Sequence, residues 1–313
     1  MADYIHEQIT KLYKHLMNPK LSTVLRVHSE LRKALGDFLR SEGFVEIPPV
    51  IISAITDPLR HATGKAEVEY YGHRYQLTRS MIFHKQLAVM AYDKIFAFSP
   101  NIRLEPIELA DTGRHLIEFT QLDLEVKNAT RDAVMKLAED MIIHVLKTTA
   151  HNCSKELETL GRKLSVPSAP FERIAYKDAY ERHMGDFEII LSQQHKDPFW
   201  IVDIPIEARE FYDKEDETKR GILKDMDLVY PEGYGEALSG GEREYEFKRV
   251  AYRIGRSGVN LEDYDWYLEF VKIGIPPSAG FGIGVERMTR YICGLKTIED
   301  TVPFPKMPGE LGI

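Results

Sequence analysis

Polar and apolar residues alternate with period two along residues 95–105. Ser99, Asn101, Arg103 and Glu105 fall on one face, and Phe96, Phe98, Ile102 and Leu104 on the other. Residues 116–126 repeat the pattern, with Phe119, Gln121, Asp123 and Glu125 opposite Leu116, Leu122, Leu124 and Val126. Two such runs, joined by a stretch carrying the turn formers Pro106, Asp111 and Gly113, predict a hairpin with one chemically loaded face. Helical spacing appears over 130–163 (Val134, Leu137, Ala138, Met141, Ile142, Val145, Leu146) and over 243–256 (Tyr245, Phe247, Val250, Ile254). Ile5, Ile9, Leu12 and Leu16 predict a helical leader within residues 1–20, closed by Asn18-Pro19. Residues 199–204 (FWIVDI) read as a buried strand stopped by Pro205, residues 166–170 as a linker, and residues 171–198 as an insertion in one domain spanning 1–313. Residues 279–287 (AGFGIGVER) run from a glycine-rich strand into a helix whose apolar side is Met288, Tyr291 and Ile292.

The loaded hairpin suits an anionic nucleotide. Its loop ends on Arg114 and His115, which can fold over a phosphate tail. Arg287 is placed in the first turn of its helix, where free N–H groups and the helix dipole favour an anion, and the glycines, Gly284 among them, allow close backbone approach. The spacing matches neither a dinucleotide fingerprint nor a phosphate-cradling loop ending in Gly-Lys-Ser/Thr.

Together the two segments resemble motifs 2 and 3 of class II aminoacyl-tRNA synthetases. Motif 2 has the order Arg-x-Glu, loop, Arg-His-x-x-Glu-Phe, and motif 3 ends Gly-x-Gly-x-Glu-Arg; a motif 1 helix, strand and proline correspond to Val24 through Pro49. The resemblance implies an α+β fold, a mostly antiparallel sheet flanked by helices, and a homodimer. It also implies that ATP is held by Arg103, Glu105, Arg114, His115, Phe119, Gly284 and Arg287, with Arg103 and Arg287 acting on the reacting phosphates. Residues 227–243 (DLVYPEGYGEALSGGER) resemble the aspartyl and asparaginyl branch. That likeness implies Mg²⁺ on Asp227, Glu236 and Ser239, and Arg243 on a substrate carboxylate. Leu77 to Gln86 resembles the aspartyl segment that presents a lysine to the substrate side chain, here Lys85, with Gln121 and Asp123 also facing the substrate; Arg79 and Ile82 depart from that pattern. Two cations around one side-chain terminus point to aspartate over asparagine.

Composition narrows the expected partners. The 313 residues hold 49 acids against 41 bases, a formal charge of −8, and no run of lysine or arginine long enough to track a phosphate backbone. Residues 1–20 are too short for the anticodon-binding barrel that precedes motif 1 in aspartyl and asparaginyl synthetases. The expectation is therefore no nucleic-acid partner. Two cysteines, no targeting leader and no apolar run of membrane length suggest a cytoplasmic protein without membrane contact, and the histidines show no metal spacing.

A synthetase-like core without a tRNA-reading module resembles the archaeal asparagine synthetases related to asparaginyl-tRNA synthetase. That resemblance implies conversion of L-aspartate, ATP and ammonia to asparagine, AMP and pyrophosphate through a β-aspartyl adenylate. Asp123 and Glu125 are then candidates to take the proton from ammonium. Activating the β-carboxylate requires aspartate to bind turned end for end. The stretch 62–67 (ATGKAE), lacking the acid-glycine pair of aspartyl enzymes, supports a rebuilt ammonium site. Two alternatives stand beside it: a stand-alone aspartyl/asparaginyl-tRNA synthetase paralogue that aminoacylates another acceptor, and a non-catalytic amino-acid sensor.

Overall fold

The structure is a computed structural model that describes residues 2–312 apart from His61 and Ala62, so the first residue of the 62–67 stretch lies outside the described residues. Its strands are β1 (Val45–Glu46), β2 (Ile52–Ser53), β3 (Glu67–Tyr70), β4 (His73–Leu77), β5 (Lys94–Ile102), β6 (Glu118–Lys127), β7 (Glu172–Ala175), β8 (Phe199–Val202), β9 (Asp225–Tyr230), β10 (Gly235–Glu242) and β11 (Ser278–Gly284). Its helices are α1 (Ala2–Leu16), α2 (Pro19–Ser41), α3 (Ile82–Ala88), α4 (Arg131–Asn152), α5 (Ser154–Thr159), α6 (Tyr176–His183), α7 (Phe187–Gln194), α8 (Phe247–Ser257), α9 (Asp265–Ile273) and α10 (Val285–Cys293).

Eight strands form one sheet in the order β1-β5-β6-β11-β10-β9-β8-β7, and β2-β4-β3 make a small separate sheet. Only the outer pairs β1/β5 and β7/β8 are parallel; the pairs between them are antiparallel. The expected α+β fold is therefore present.

Alternation along β5 and β6 decides what each sheet face meets. Phe96, Leu122 and Leu124 turn toward α2, α4 and α10, joining Val27, Leu31, Leu35, Met141, Ile142 and Tyr291 in the main core. α2 starts sharply because Asn18 accepts a hydrogen bond from the Lys20 N–H and Pro19 occupies the first turn. Thr130 caps α4 through the Ala133 N–H. Buried Glu139 of α4 accepts from Trp200 Nε1 at 2.8 Å and Phe171 N at 3.1 Å, which satisfies a carboxylate that would otherwise be costly inside the core.

Several boundaries differ from the periodicity. The helix expected over 130–163 breaks at Cys153 into α4 and α5, although the apolar stripe continues into the main core through Cys153 and Leu157. The helix expected over 243–256 begins only at Phe247; Arg243 is drawn out of it by an isolated bridge to Asp213. β5 ends at Ile102, so Arg103 and Glu105 lie just past the strand, and a 3-10 turn, Ile107–Thr112, fills the hairpin loop. Within residues 171–198, β7 forms an edge strand of the main sheet and α7 packs near β9 and β10. Among the described residues no helix is long and apolar enough to cross a membrane.

Candidate active site

The face of the sheet opposite the main core carries a row of polar and charged residues. Ser99, Asn101, Asp123 and Glu125, which alternation alone would allow to meet water, are all buried. They survive burial because each has a partner: Ser99 donates to Asn101, and Asn101 donates to Gln121 Oε1 at 2.5 Å.

Beneath the site lies a charge cluster. Lys85 Nζ, on α3, is 3.0 Å from Asp123 Oδ1 and 3.8 Å from Glu125 Oε2, and donates to the Phe281 carbonyl at 3.1 Å. Arg243 reaches Glu125 Oε1 (3.2 Å), Asp213 Oδ1 (3.1 Å) and the Gly280 carbonyl (2.8 Å). Burial opposes the Arg243 charge, yet Glu125 and Asp213 outweigh it and hold its pKa above the ordinary value. The glycines of β11 make this packing possible. A Cβ on Gly280 would stand 2.2 Å from both Glu125 Oε2 and the Leu124 carbonyl, closer than any real contact. Asp123 Oδ2 is buried with no hydrogen-bond partner.

Lys85, Arg243, Asp123, Gln121, Arg103, Glu236 and Ser239 line one cavity. A second is lined by Arg103, Glu105, Arg114, His115, Phe119 and Arg287, with Gly284. Arg103, Gln121, Glu236 and Gly282 border both, so the two spaces meet at Arg103. The Arg103 guanidinium lies 5.2 Å from the Phe119 ring centroid, and its Nε donates to the Arg79 carbonyl at 3.1 Å. Burial, then the nearby Arg287, pushes His115 down to about 4, so near neutral pH it offers a single N–H rather than a charge. Its Nδ1 lies 2.7 Å from Thr112 Oγ1.

Ser239 and Asp227 are direct cross-strand partners on β10 and β9, with Glu236 just beyond a bulge. Burial raises Asp227 to about 6 against the pull of Arg209, whose Nη2 is 2.5 Å from Asp227 Oδ2; Asp227 Oδ1 has no hydrogen-bond partner. Glu236 is pushed up by burial, but Arg287 at 2.8 Å and Arg114 hold it below the ordinary carboxylate range. Among the described residues no cluster of three or more His, Cys, Asp and Glu side chains is placed to hold a metal alone. Two carboxylates and a hydroxyl, one oxygen unpartnered, nevertheless fit a hard cation that takes its remaining ligands from substrate phosphates.

The segment 208–212, which resembles the stretch that closes the family's amino-acid pocket, left Arg209 open between the site and the surface, and the family-like segment 55–59 gave Asp57 no role. Arg209 bridges Asp225 and Asp227, and Asp57 accepts from the Tyr212 hydroxyl at 3.2 Å. Both line the cavity beside Asp213 and Glu210. Asp225 carried a signal, since it shares the strand face of Asp227 two residues on; Asp213 is brought in by long-range packing that leaves no local pattern.

The arrangement has known relatives. A family model described as tRNA synthetases class II (D, K and N) matches residues 5–308. The chain belongs to this family. It is 30% identical over 308 residues to the asparagine–tRNA ligase of Pelotomaculum thermopropionicum, covering 93% of this chain and 70% of that protein. It is 32% identical over 302 residues to that of Lactobacillus delbrueckii subsp. bulgaricus, covering 91% and 68%. Asparaginyl-tRNA synthetase from Pyrococcus horikoshii, solved with asparaginyl-adenylate, superposes with a TM-score of 0.87 at 27% identity, covering 96% of this chain and 72% of that one. As a member of this family, the chain is an ATP-dependent ligase with the class II fold.

These relatives correct two expectations. An asparagine synthetase that works on ammonia without tRNA is overturned, because the relatives are named as tRNA ligases; the reversed aspartate pose and the ammonium-deprotonating role of Asp123 and Glu125 fall with it. The exclusion of nucleic acid is overturned by the same names. It rested on net charge, on the lack of basic runs and on the shortness of residues 1–20, and an overall composition does not report where a fold places its charges.

Proposed function

We propose that the chain is an aminoacyl-tRNA ligase that adenylates the α-carboxylate of a four-carbon amino acid, asparagine or aspartate, and passes the acyl group to tRNA. The observation that carries this reading is the joining of two unlike subsites at Arg103: a buried Lys85–Arg243 cluster on one side, an arginine-rich space beside Phe119 on the other.

The residues divide the reaction between them. Phe119 offers a ring for the adenine, with Glu105 at its edge. Arg103 bridges the α-phosphate and the attacking carboxylate and stabilises the charge that builds as the new anhydride bond forms and pyrophosphate leaves. Arg287, Arg114 and neutral His115 receive the outer phosphates. Asp227, Glu236 and Ser239 would hold Mg²⁺, which supplies neutralising charge to the polyphosphate when bound. A terminal tRNA hydroxyl then attacks the acyl carbonyl and AMP departs.

Charge balance favours asparagine as the first reading. Lys85 and Arg243 already face Asp123, Glu125 and Asp213, so a neutral carboxamide adds no further anion to a buried cluster. Its oxygen would accept from a cation, and its N–H would meet the unpartnered Asp123 Oδ2. Aspartate is the second reading, favoured by the two cations themselves. Amino-acid-dependent exchange of labelled pyrophosphate into ATP decides between them: asparagine is expected to support faster exchange than aspartate. Exchange with neither would overturn adenylation. Exchange with no acylation of tRNA would overturn the acceptor.

A further inference from the structure

Arg114 is not loose in its loop. Its Nη2 lies 2.9 Å from Glu188 Oε1, on the first turn of α7. The same carboxylate oxygen accepts the Glu236 backbone N–H at 2.6 Å, so Glu188 ties the hairpin loop to the start of β10. Gly235 leaves the space for this contact. Its φ is +74°, and a Cβ there would stand 2.7 Å from the Arg114 guanidinium carbon and 2.8 Å from Glu188 Oε1. Arg114 borders the nucleotide cavity while so held, and its Nε is buried with no hydrogen-bond partner.

A guanidinium anchored at one nitrogen while its residue lines a cavity holds its remaining donors in a fixed direction. An exposed arginine would lose several rotatable bonds of freedom on gripping a phosphate; one already clamped has lost them. We infer that Glu188 is a positioning residue, which acts through Arg114 to preorganise the subsite for the outer phosphates of ATP. This inference rests on the nucleotide assignment of the Arg114 cavity made above. It gives a role to residues 171–198, which otherwise read as an insertion.

Glu188→Gln keeps an oxygen for the Glu236 N–H but removes the charge that holds Arg114. ATP affinity of the full chain with Mg²⁺, measured by calorimetry, is expected to fall about 5- to 10-fold, as suits loss of one charge-assisted contact. In pyrophosphate exchange the KM for ATP should rise by a similar factor while the KM for the amino acid stays constant. A merely structural lesion would instead lower kcat through fewer active molecules. In an Arg114→Ala background the Glu188→Gln change should cost little more, since the group it orients is gone. ATP binding by the wild type with no change in Glu188→Gln, or equal losses with and without Arg114, would overturn the inference alone. Absence of ATP binding by the wild type would overturn the nucleotide assignment and this inference with it.

Discussion

Lys85 is a buried charge that also lines a cavity. It is 2% exposed, and its ammonium faces two carboxylates that have almost no contact with water. Removing one partner of such a pair leaves the other charge buried and uncompensated, which costs about 3–5 kcal/mol, whereas replacing both with apolar groups is often neutral. Lys85→Met should therefore lower unfolding free energy in urea by about 3–5 kcal/mol, and adding Asp123→Leu should recover part of that loss. Under conditions where the single variant stays folded, the KM for the amino acid should rise far more than that for ATP. Equal rises would remove Lys85 from the amino-acid subsite.

At the scale of elements, alternation along β5 and β6 predicted the hairpin, and the glycine run predicted β11 leading into α10; both formed because one face of each strand packs against α2, α4 and α10. Boundaries were less legible. Arg243 sits at helical spacing but is held by Glu125, Asp213 and the Gly280 carbonyl, a set of long-range contacts that outweighs a local preference. Thr130 is a purely local device: its hydroxyl accepts the Ala133 N–H and touches nothing in the site. Thr130→Ala should cost about 1 kcal/mol of stability, read from the denaturation midpoint, with both KM values unchanged. A shift in either KM would mean that α4 communicates with the cavity.

Over the whole molecule, the convergence of Arg103, Arg114 and Arg287 on one cavity was legible because their motifs carry order and spacing. Asp213 and Glu188 were not, because only the fold brings Asp213 to the cavity and Glu188 to Arg114, from segments with no chemical signature. The same gathering crowds ionisable groups away from water. Burial raises Glu210 and Glu286 to about 7, while it lowers His28 and His115 to about 4. A carboxyl raised in the folded state binds a proton more tightly there than when unfolded. Between the unfolded value near 4.3 and about 7 it therefore makes stability fall as pH rises. The lowered histidines do the reverse between about 4 and 6.5, so the total profile is partly cancelled. Subtraction isolates one group. Glu286 Oε2 accepts the Thr120 N–H at 3.0 Å, a bond that a glutamine oxygen can replace. Below about pH 4, under the unfolded value, the wild-type side chain is neutral both folded and unfolded, as the glutamine is, and the melting temperatures of wild type and Glu286→Gln should nearly coincide. As pH rises from about 4 toward 7 the unfolded wild type ionises while the folded one holds its proton, so the variant should become progressively the more stable, with the difference levelling off above about 7. Thermal unfolding of the pair from about pH 4 to 8 measures this difference directly; a constant offset across that range would show that the Glu286 carboxyl is not raised by folding.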